Sequence, residues 1–103
     1  MFTGIIETLG VIKKIKYKGS NVDFEVESAL APELKIDQSL AHNGVCLTVV
    51  ALTENTHTVT AIEETLIRSD LGNLQVGDLV NLERAMLASA RLDGHIAVVS
   101  TWP

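Results

Sequence analysis

The chain carries one cysteine, Cys46, among 103 residues. A single thiol cannot close an internal disulfide, and a cysteine-based zinc site needs further ligands. Its three histidines, His42, His57 and His95, are scattered without metal-ligand spacing, so no metal site is expected. Basic charge is also scarce: Lys and Arg number 8 against 13 Asp and Glu, for a net charge of -5. That argues against nucleic acid, whose phosphates call for a basic surface, and against an anionic membrane surface. No apolar run nears the roughly 18–20 residues that span a bilayer. Met1-Phe2-Thr3-Gly4 has neither the basic nor the long apolar segment of a secretory signal. A reducing, cytoplasmic setting fits these absences. Internal repeats, linkers and low-complexity segments are missing as well.

What is present is a core. Hydrophobic residues make up 47% of the chain, enough for one domain without metal or disulfide staples. Gly4 to Lys16 is apolar on both faces and predicts a long strand, bent or bulged near Gly10. Lys18-Gly19-Ser20-Asn21 signals a turn. From Val22 to Ser28, Val22, Phe24 and Val26 alternate with Asp23, Glu25 and Glu27, a strand with one wet face. Ala29 to Leu34, with Pro32, accommodates a short helical turn. Ile36 to Ala41 predicts a short strand. Cys46 to Thr53 and Thr56 to Ile62, joined at Glu54-Asn55, make the best hairpin. Glu63 to Ser69 suits a short helix with acidic residues in its first turn, ended by Leu71-Gly72-Asn73. Val76-Gly77-Asp78 turns into a strand over Leu79 to Glu83, and Gly94 to Val99 resumes a strand. Many short strands with frequent turns predict a small antiparallel barrel or sandwich.

The centre of the chain is His42-Asn43-Gly44-Val45-Cys46-Leu47-Thr48. A polar cluster and a glycine stand directly ahead of an apolar strand, either as a tight corner or as the wall of a site. Asn43-Gly44 suits positive φ. His42 reads as a corner residue whose ring satisfies local backbone groups, and His57 as a surface residue near the hairpin turn. Cys46 alone reads as a small buried apolar residue, with no basic neighbour to activate a thiolate. Thr48 and Ser39 read equally as β-formers or as hydroxyl partners for a polar ligand. Glu63 and Glu64 read as a solvated first helical turn.

Taken in order, Met1-Phe2-Thr3-Gly4-Ile5-Ile6-Glu7, Ala41-His42-Asn43-Gly44-Val45-Cys46-Leu47-Thr48-Val49, Glu64-Thr65-Leu66, Leu71-Gly72, Val76-Gly77-Asp78, Asn81-Leu82-Glu83-Arg84-Ala85 and Gly94-His95 resemble the N-terminal half of the riboflavin synthase, or lumazine-binding, family. The resemblance implies an all-β, six-stranded antiparallel Greek-key barrel with one or two short helices over residues 1–97, with 98–103 as a diverged or truncated tail. It implies binding of 6,7-dimethyl-8-ribityllumazine or riboflavin, and no metal or redox cofactor. Enzymes of the family carry two barrels and dismutate two lumazines into riboflavin and a pyrimidinedione. Their active site lies between the N-terminal barrel of one subunit and the C-terminal barrel of a neighbour.

By that resemblance the ligand meets Gly4, Ile5, Ile6, Cys46, Leu47, Thr48, Thr60, Ala61, Ile62, Glu63, Glu64 and Thr65. Cys46 and Ser39 are the candidates for a catalytic role, Cys46 as a weak donor or proton relay. Glu64 is the carboxylate expected to bind ribityl hydroxyls, and Gly4-Ile5-Ile6 is expected to reach a ligand in the partner barrel. Two departures limit the match: a second barrel is missing, and Ala97-Val98-Val99-Ser100 replaces a second Gly-His pair. A single barrel is therefore expected to bind ligand with weak or no catalysis. Its expected partner is a second barrel, its own copy in a homodimer, where a full-length enzyme is a trimer. A non-catalytic flavin or lumazine carrier, or a ligand-free interaction module, are the alternatives.

Overall fold

The structure, a computed structural model, describes residues 5–85. The expected contact at Gly4, the strand over Gly94–Val99, His95 and the 98–103 tail lie outside the described residues. Within them, six strands run in the order β1 (Thr8–Lys18), β2 (Asn21–Glu27), β3 (Ser39–His42), β4 (Val45–Leu52), β5 (Thr56–Ala61) and β6 (Leu79–Arg84). A helix, α1 (Glu63–Arg68), follows β5, and 3-10 turns occupy Ala31–Glu33 and Asp70–Asn73. The sequence read Leu71-Gly72-Asn73 as a helix stop; those residues instead form the second 3-10 turn.

All pairings are antiparallel, and the strands close into a barrel in the order β1-β2-β5-β4-β3-β6. Three consecutive hairpin strands, β3 to β5, lie beside β2, which is the Greek-key arrangement. The β3–β4 turn is Asn43-Gly44, with φ of 51° and 85°. Two positive φ values in a two-residue loop match the twist of the flanking strands, and Asn-Gly adopts them at least cost. The strand expected from Ile36 begins later, at Ser39. Asp37 takes φ 72° and turns the chain, while its N–H still donates to the Val49 carbonyl.

Two bulges determine which residues enter the core. In β1 the register with β2 slips between Ile12 and Lys14. Gly10 and Ile12 point inward before the slip, and Ile15 packs on the core after it. One extra residue, Lys13, thus reverses the inward parity of the strand. The sequence placed the irregularity at Gly10; the structure moves it to Lys13. A second slip between Val49 and Ala51 does the same for β4, so that Leu47, Val49 and Leu52 all face inward or pack on the core.

Gly10 answers to a different constraint. A Cβ there would sit 2.5 Å from Val26 Cγ1 and 3.0 Å from Leu82 Cδ1. The barrel is filled by Ile12, Phe24, Val26, Leu40, Val49, Val59, Val80 and Leu82, and Gly10 leaves the space that Val26 and Leu82 use. Overpacking a filled core typically costs about 1–3 kcal/mol. Gly10→Ala is therefore expected to lower Tm by roughly 4–24 °C, at 4–8 °C per kcal/mol for a domain of this size. A thermal melt within 2 °C of the parent would show that the core at Gly10 yields.

Candidate functional site on the outer barrel face

Paired residues on neighbouring strands share a face, so the ladder registers locate the site. Ser39 pairs with Thr48 and Ala41 with Cys46. Leu40, Leu47 and Val49 are core, so Ser39, Ala41, Cys46 and Thr48 face outward. The Val49–Val59 pair, continued by one residue, sets Thr48 opposite Thr60. Thr60 pairs with Asp23 on β2. A row of side-chain oxygens, Ser39, Thr48, Thr60 and Asp23, therefore crosses four strands on the outer surface.

Other predicted residues divide around this row. Ile62, exposed at 52%, and the exposed Glu63 and Glu64 lie just beyond β5, with Thr65 half-buried. Glu64 makes an exposed ion pair with Arg68 at 3.3 Å one helical turn on. Such a pair holds a carboxylate weakly and leaves it free to exchange partners. Ile6, on the opposite flank, borders a cavity of about 190 Å³ with Ala41, Gly44, Asn81, Leu82 and Glu83. Ile5 is 70% exposed. Two side chains point elsewhere: Leu47 and Ala61 are buried in the barrel interior, so at those positions backbone alone faces outward. A larger hollow of about 360 Å³, lined by Asn43, Val45, Ile67, Arg68, Ser69, Asp70 and Leu71, lies apart from the row; of these residues, sequence reasoning named none for ligand contact.

The motif residues Glu7, Asn43, Asn81 and Arg84 meet in the structure. Asn43 Oδ1 accepts from the Asn81 N–H, and the Asn43 N–H donates to the Asn81 carbonyl, both at 2.8 Å. Arg84 grips both carboxylate oxygens of Glu7, the shortest contact 2.7 Å, and reaches Glu33 at 3.1 Å. The Arg84 guanidinium lowers the Glu7 pKa, burial of the Glu7 carboxylate opposes it, and the Arg84 backbone N–H adds to the lowering, so the carboxyl is held below its usual range. These contacts fix the approach of Ile5 and Ile6 to β6. Sequence reasoning used Glu7 and Arg84 as landmarks and gave them no role.

His57, expected at the surface, is instead 0% exposed inside the barrel, beside His42 at 2%. Its place on β5 opposite Val26 and Leu52 turns it inward. His42 Nδ1 lies 2.9 Å from the Leu40 carbonyl, and the two Nε2 atoms are 2.8 Å apart. A carbonyl only accepts, so His42 carries its proton on Nδ1 and accepts at Nε2. His57 must then donate from Nε2, which leaves its buried Nδ1 an acceptor without a partner among the described residues. Burial holds both rings neutral, His42 with a pKa of about 3 and His57 of about 4; the neighbouring ring lowers His42 further.

Among the described residues no cluster of three His, Cys, Asp or Glu is arranged to hold a metal, and no helix is long and apolar enough to cross a membrane. Comparison with known proteins places the barrel. Residues 3–85 match the model of the lumazine binding domain. The chain belongs to the lumazine-binding domain family. Riboflavin synthase of Photobacterium phosphoreum is 48% identical over 93% of this chain and 45% of its own. That of Bacillus subtilis is 42% identical over 92% and 45%. The chain thus spans about half the length of these curated relatives. The crystal structure of LumP complexed with riboflavin matches with a TM-score of 0.76 at 27% identity, over 82% of this chain and 46% of that one. LumP complexed with 6,7-dimethyl-8-(1'-D-ribityl) lumazine matches to the same TM-score. The family, the barrel and its lumazine-binding ancestry agree with the resemblance read from the sequence.

The histidine pair predicts a pH dependence. Unfolded histidine titrates near 6.5, so below that pH the unfolded chain binds protons that the folded barrel refuses. Stability is full above about pH 6.5 and is lost as the pH falls toward 4. The slope is about 1.4 kcal/mol per pH unit for each histidine, or roughly 2–4 kcal/mol between pH 7 and pH 5. Urea denaturation at the two pH values measures it, and His57→Val should flatten the slope by about half. Equal stability at pH 5 and pH 7 would contradict the neutral, buried pair.

Proposed function

We propose that this barrel binds one ribityl-bearing heterocycle, 6,7-dimethyl-8-ribityllumazine or riboflavin, on its outer face. The observation that carries the reading is the hydroxyl row Ser39–Thr48–Thr60, running beside Cys46 and reaching Asp23 on β2, with α1 beginning three residues after Thr60. A ribityl chain presents several hydroxyls that need matched partners once buried. The apolar Ile62 and the half-buried Thr65 flank the row where the ring would lie, and Glu64 is within the same edge. Gly4, Ile5 and Ile6 serve a ligand on a partner barrel. Cys46 and Ser39 are the groups offered for proton handling. Support comes from the family match and from LumP, whose structures hold riboflavin and the ribityl lumazine.

In this reading the chain is the N-terminal, ligand-binding half of a riboflavin synthase. Residues 1–97 form the domain, with 98–103 a tail, in a cytoplasmic protein. The row is an open face. Ligand sites for small molecules bury most of the ligand, and a single outer sheet face covers one side of a planar ring. Dismutation joins two lumazines, so two such faces must meet, and orienting the pair supplies much of the rate. A second barrel provides the other face: this chain's own copy in an isologous dimer, or a C-terminal barrel of a neighbour in a full-length trimer. The alternative, a non-catalytic carrier, draws on the LumP complexes with riboflavin and with flavin mononucleotide.

Fluorescence titration with riboflavin tests the binding. Thr48→Ala and Glu64→Gln are each expected to weaken it by about 2- to 12-fold, the worth of one hydrogen bond, with the melting temperature unchanged. Absence of quenching at micromolar protein would reject the ligand. Incubation with the lumazine, with and without a C-terminal barrel in trans, separates enzyme from carrier, since the carrier forms no riboflavin. Light scattering with ligand present should give a dimer; a strict monomer would remove the paired-face model for this chain.

A further inference from the structure

The oxygen row does not stop at the ligand hydroxyls it resembles. At its β2 end, Thr60 Oγ1 donates to Asp23 Oδ1 at 2.6 Å, and Lys18 Nζ meets the other carboxylate oxygen at 2.8 Å. Asp23 is unusual on this surface. It lies on the outer face of β2, where the sequence calls for a solvated carboxylate, yet it is only 9% exposed. Burial alone would raise its pKa; the hydrogen bonds from Lys18 and from Thr60, together with the positive field of Lys18 and Lys16, outweigh that and lower it. Asp23 is thus ionised at neutral pH, and an ionised carboxylate can only accept.

The consequence falls on Thr60. A threonine hydroxyl has one proton and two lone pairs. With its proton committed to Asp23, Thr60 can offer the ligand lone pairs alone. Among the described residues neither Ser39 nor Thr48 bonds such a carboxylate: Ser39 pairs with Thr48, and the ladder extended from Val49–Val59 brings Thr48 beside Thr60. Their hydroxyls rotate to donate or accept. The row therefore has a polarity that its composition of hydroxyls hides.

We propose that Asp23 is a positioning residue that fixes Thr60 as an obligate acceptor, so that the barrel selects a ligand presenting a hydroxyl donor, a polyol chain, at that point. The proposal rests on the ligand reading given above. The completed chain runs from ligand O–H to Thr60 Oγ1, from Thr60 O–H to Asp23, with Lys18 N–H closing on the far oxygen. Each bond in such a chain polarises the next, so the ligand bond at Thr60 is stronger than one to an isolated hydroxyl. A ligand with an acceptor there, or with no polyol, gains nothing from Asp23.

Two probes separate these effects: riboflavin, and lumiflavin, which has the same ring with a methyl in place of the ribityl chain. Asp23→Ala is expected to weaken riboflavin binding about 5- to 10-fold, within the worth of one hydrogen bond, and to leave lumiflavin binding within 2-fold. Thr60→Val should match it, and the double variant should be no weaker than either single one, because both break one chain. Asp23→Leu, close in size and unable to accept from Thr60 Oγ1, serves if the alanine variant melts below the assay temperature. An unchanged riboflavin affinity in Asp23→Ala, equal losses for both probes, or additive losses in the double variant would each overturn the proposal. If the parent chain quenches neither probe, the ligand reading itself fails and this assignment falls with it. If the parent binds both probes equally, binding stands and the polyol selection is refuted.

Discussion

Closure of the barrel through β6 is the constraint on which everything else depends. A six-stranded sheet left open would expose two edges of unpaired backbone. β6 removes both by pairing with β1 through Thr8–Val11 and with β3 through Leu40–His42. Its pairings span 68 to 74 residues of sequence at the β1 side, from Val11↔Leu79 to Thr8↔Leu82, so little local structure helps to set them. Side-chain pins do that work instead. Asn43 fixes Asn81 from the β3 turn, and Glu7 fixes Arg84 from the lead into β1. Surface ion pairs are usually worth little, but a bidentate arginine fork adds orientation. Here it holds the strand whose two ladders make the outer face continuous.

That outer face becomes a candidate site because of how the inner one is filled. Strands with strict alternation would send every second residue inward along their whole length. The bulges at Lys13 and Val50 break that rule once in β1 and once in β4. In β4 the slip comes after Val49, so the stretch Cys46–Thr48 keeps its alternation undisturbed. Cys46 and Thr48 face out while Leu47 and Val49 anchor the strand. Bulges commonly re-aim side chains beside functional sites. Here both slips leave the pairs that define the polar row, Ser39–Thr48 and Asp23–Thr60, in register.

Much of this was legible in the sequence, and the failures share a cause. Period-2 alternation in Val22–Glu27 and the Asn43-Gly44 dipeptide announce themselves through local chemistry, and the structure keeps them. Cys46 and Thr48 share the outer face of β4, as strand alternation requires, although Cys46 by itself reads as a buried apolar residue. His57 was misplaced because a histidine near a polar hairpin turn reads as solvated. Its burial depends on the β5 register with Val26, a long-range fact that no window of sequence contains. The bulge was misassigned to Gly10 for a similar reason. Glycine has two unrelated uses in a strand, conformational freedom and absence of a Cβ, and the sequence does not distinguish them. Only the approach of Val26 and Leu82 shows that the second applies. Leu47 and Ala61 entered the expected site as members of contiguous motifs, whereas a strand presents alternate residues to any ligand.

The histidine pair shows what the core gives up for its arrangement. A buried ring nitrogen with no partner among the described residues carries a desolvation penalty of about 1–3 kcal/mol, and a valine at His57 would move that penalty to His42, whose Nε2 would lose its donor. What the pair provides is a directional link from β3 to β5, two strands separated in the sheet by β4. Apolar contacts across a barrel tolerate sliding; a single Nε2–Nε2 bond with an enforced tautomer does not. A one-residue slip of β5 would turn His57 outward and leave His42 with an empty Nε2. It would also exchange Thr60 with Val59 on the outer face, which removes the hydroxyl opposite Thr48 and the donor to Asp23. The inner pair and the outer row are thus alternative readings of one register, and the residue that looks wasteful in the core is the one that keeps the hydroxyls on the surface.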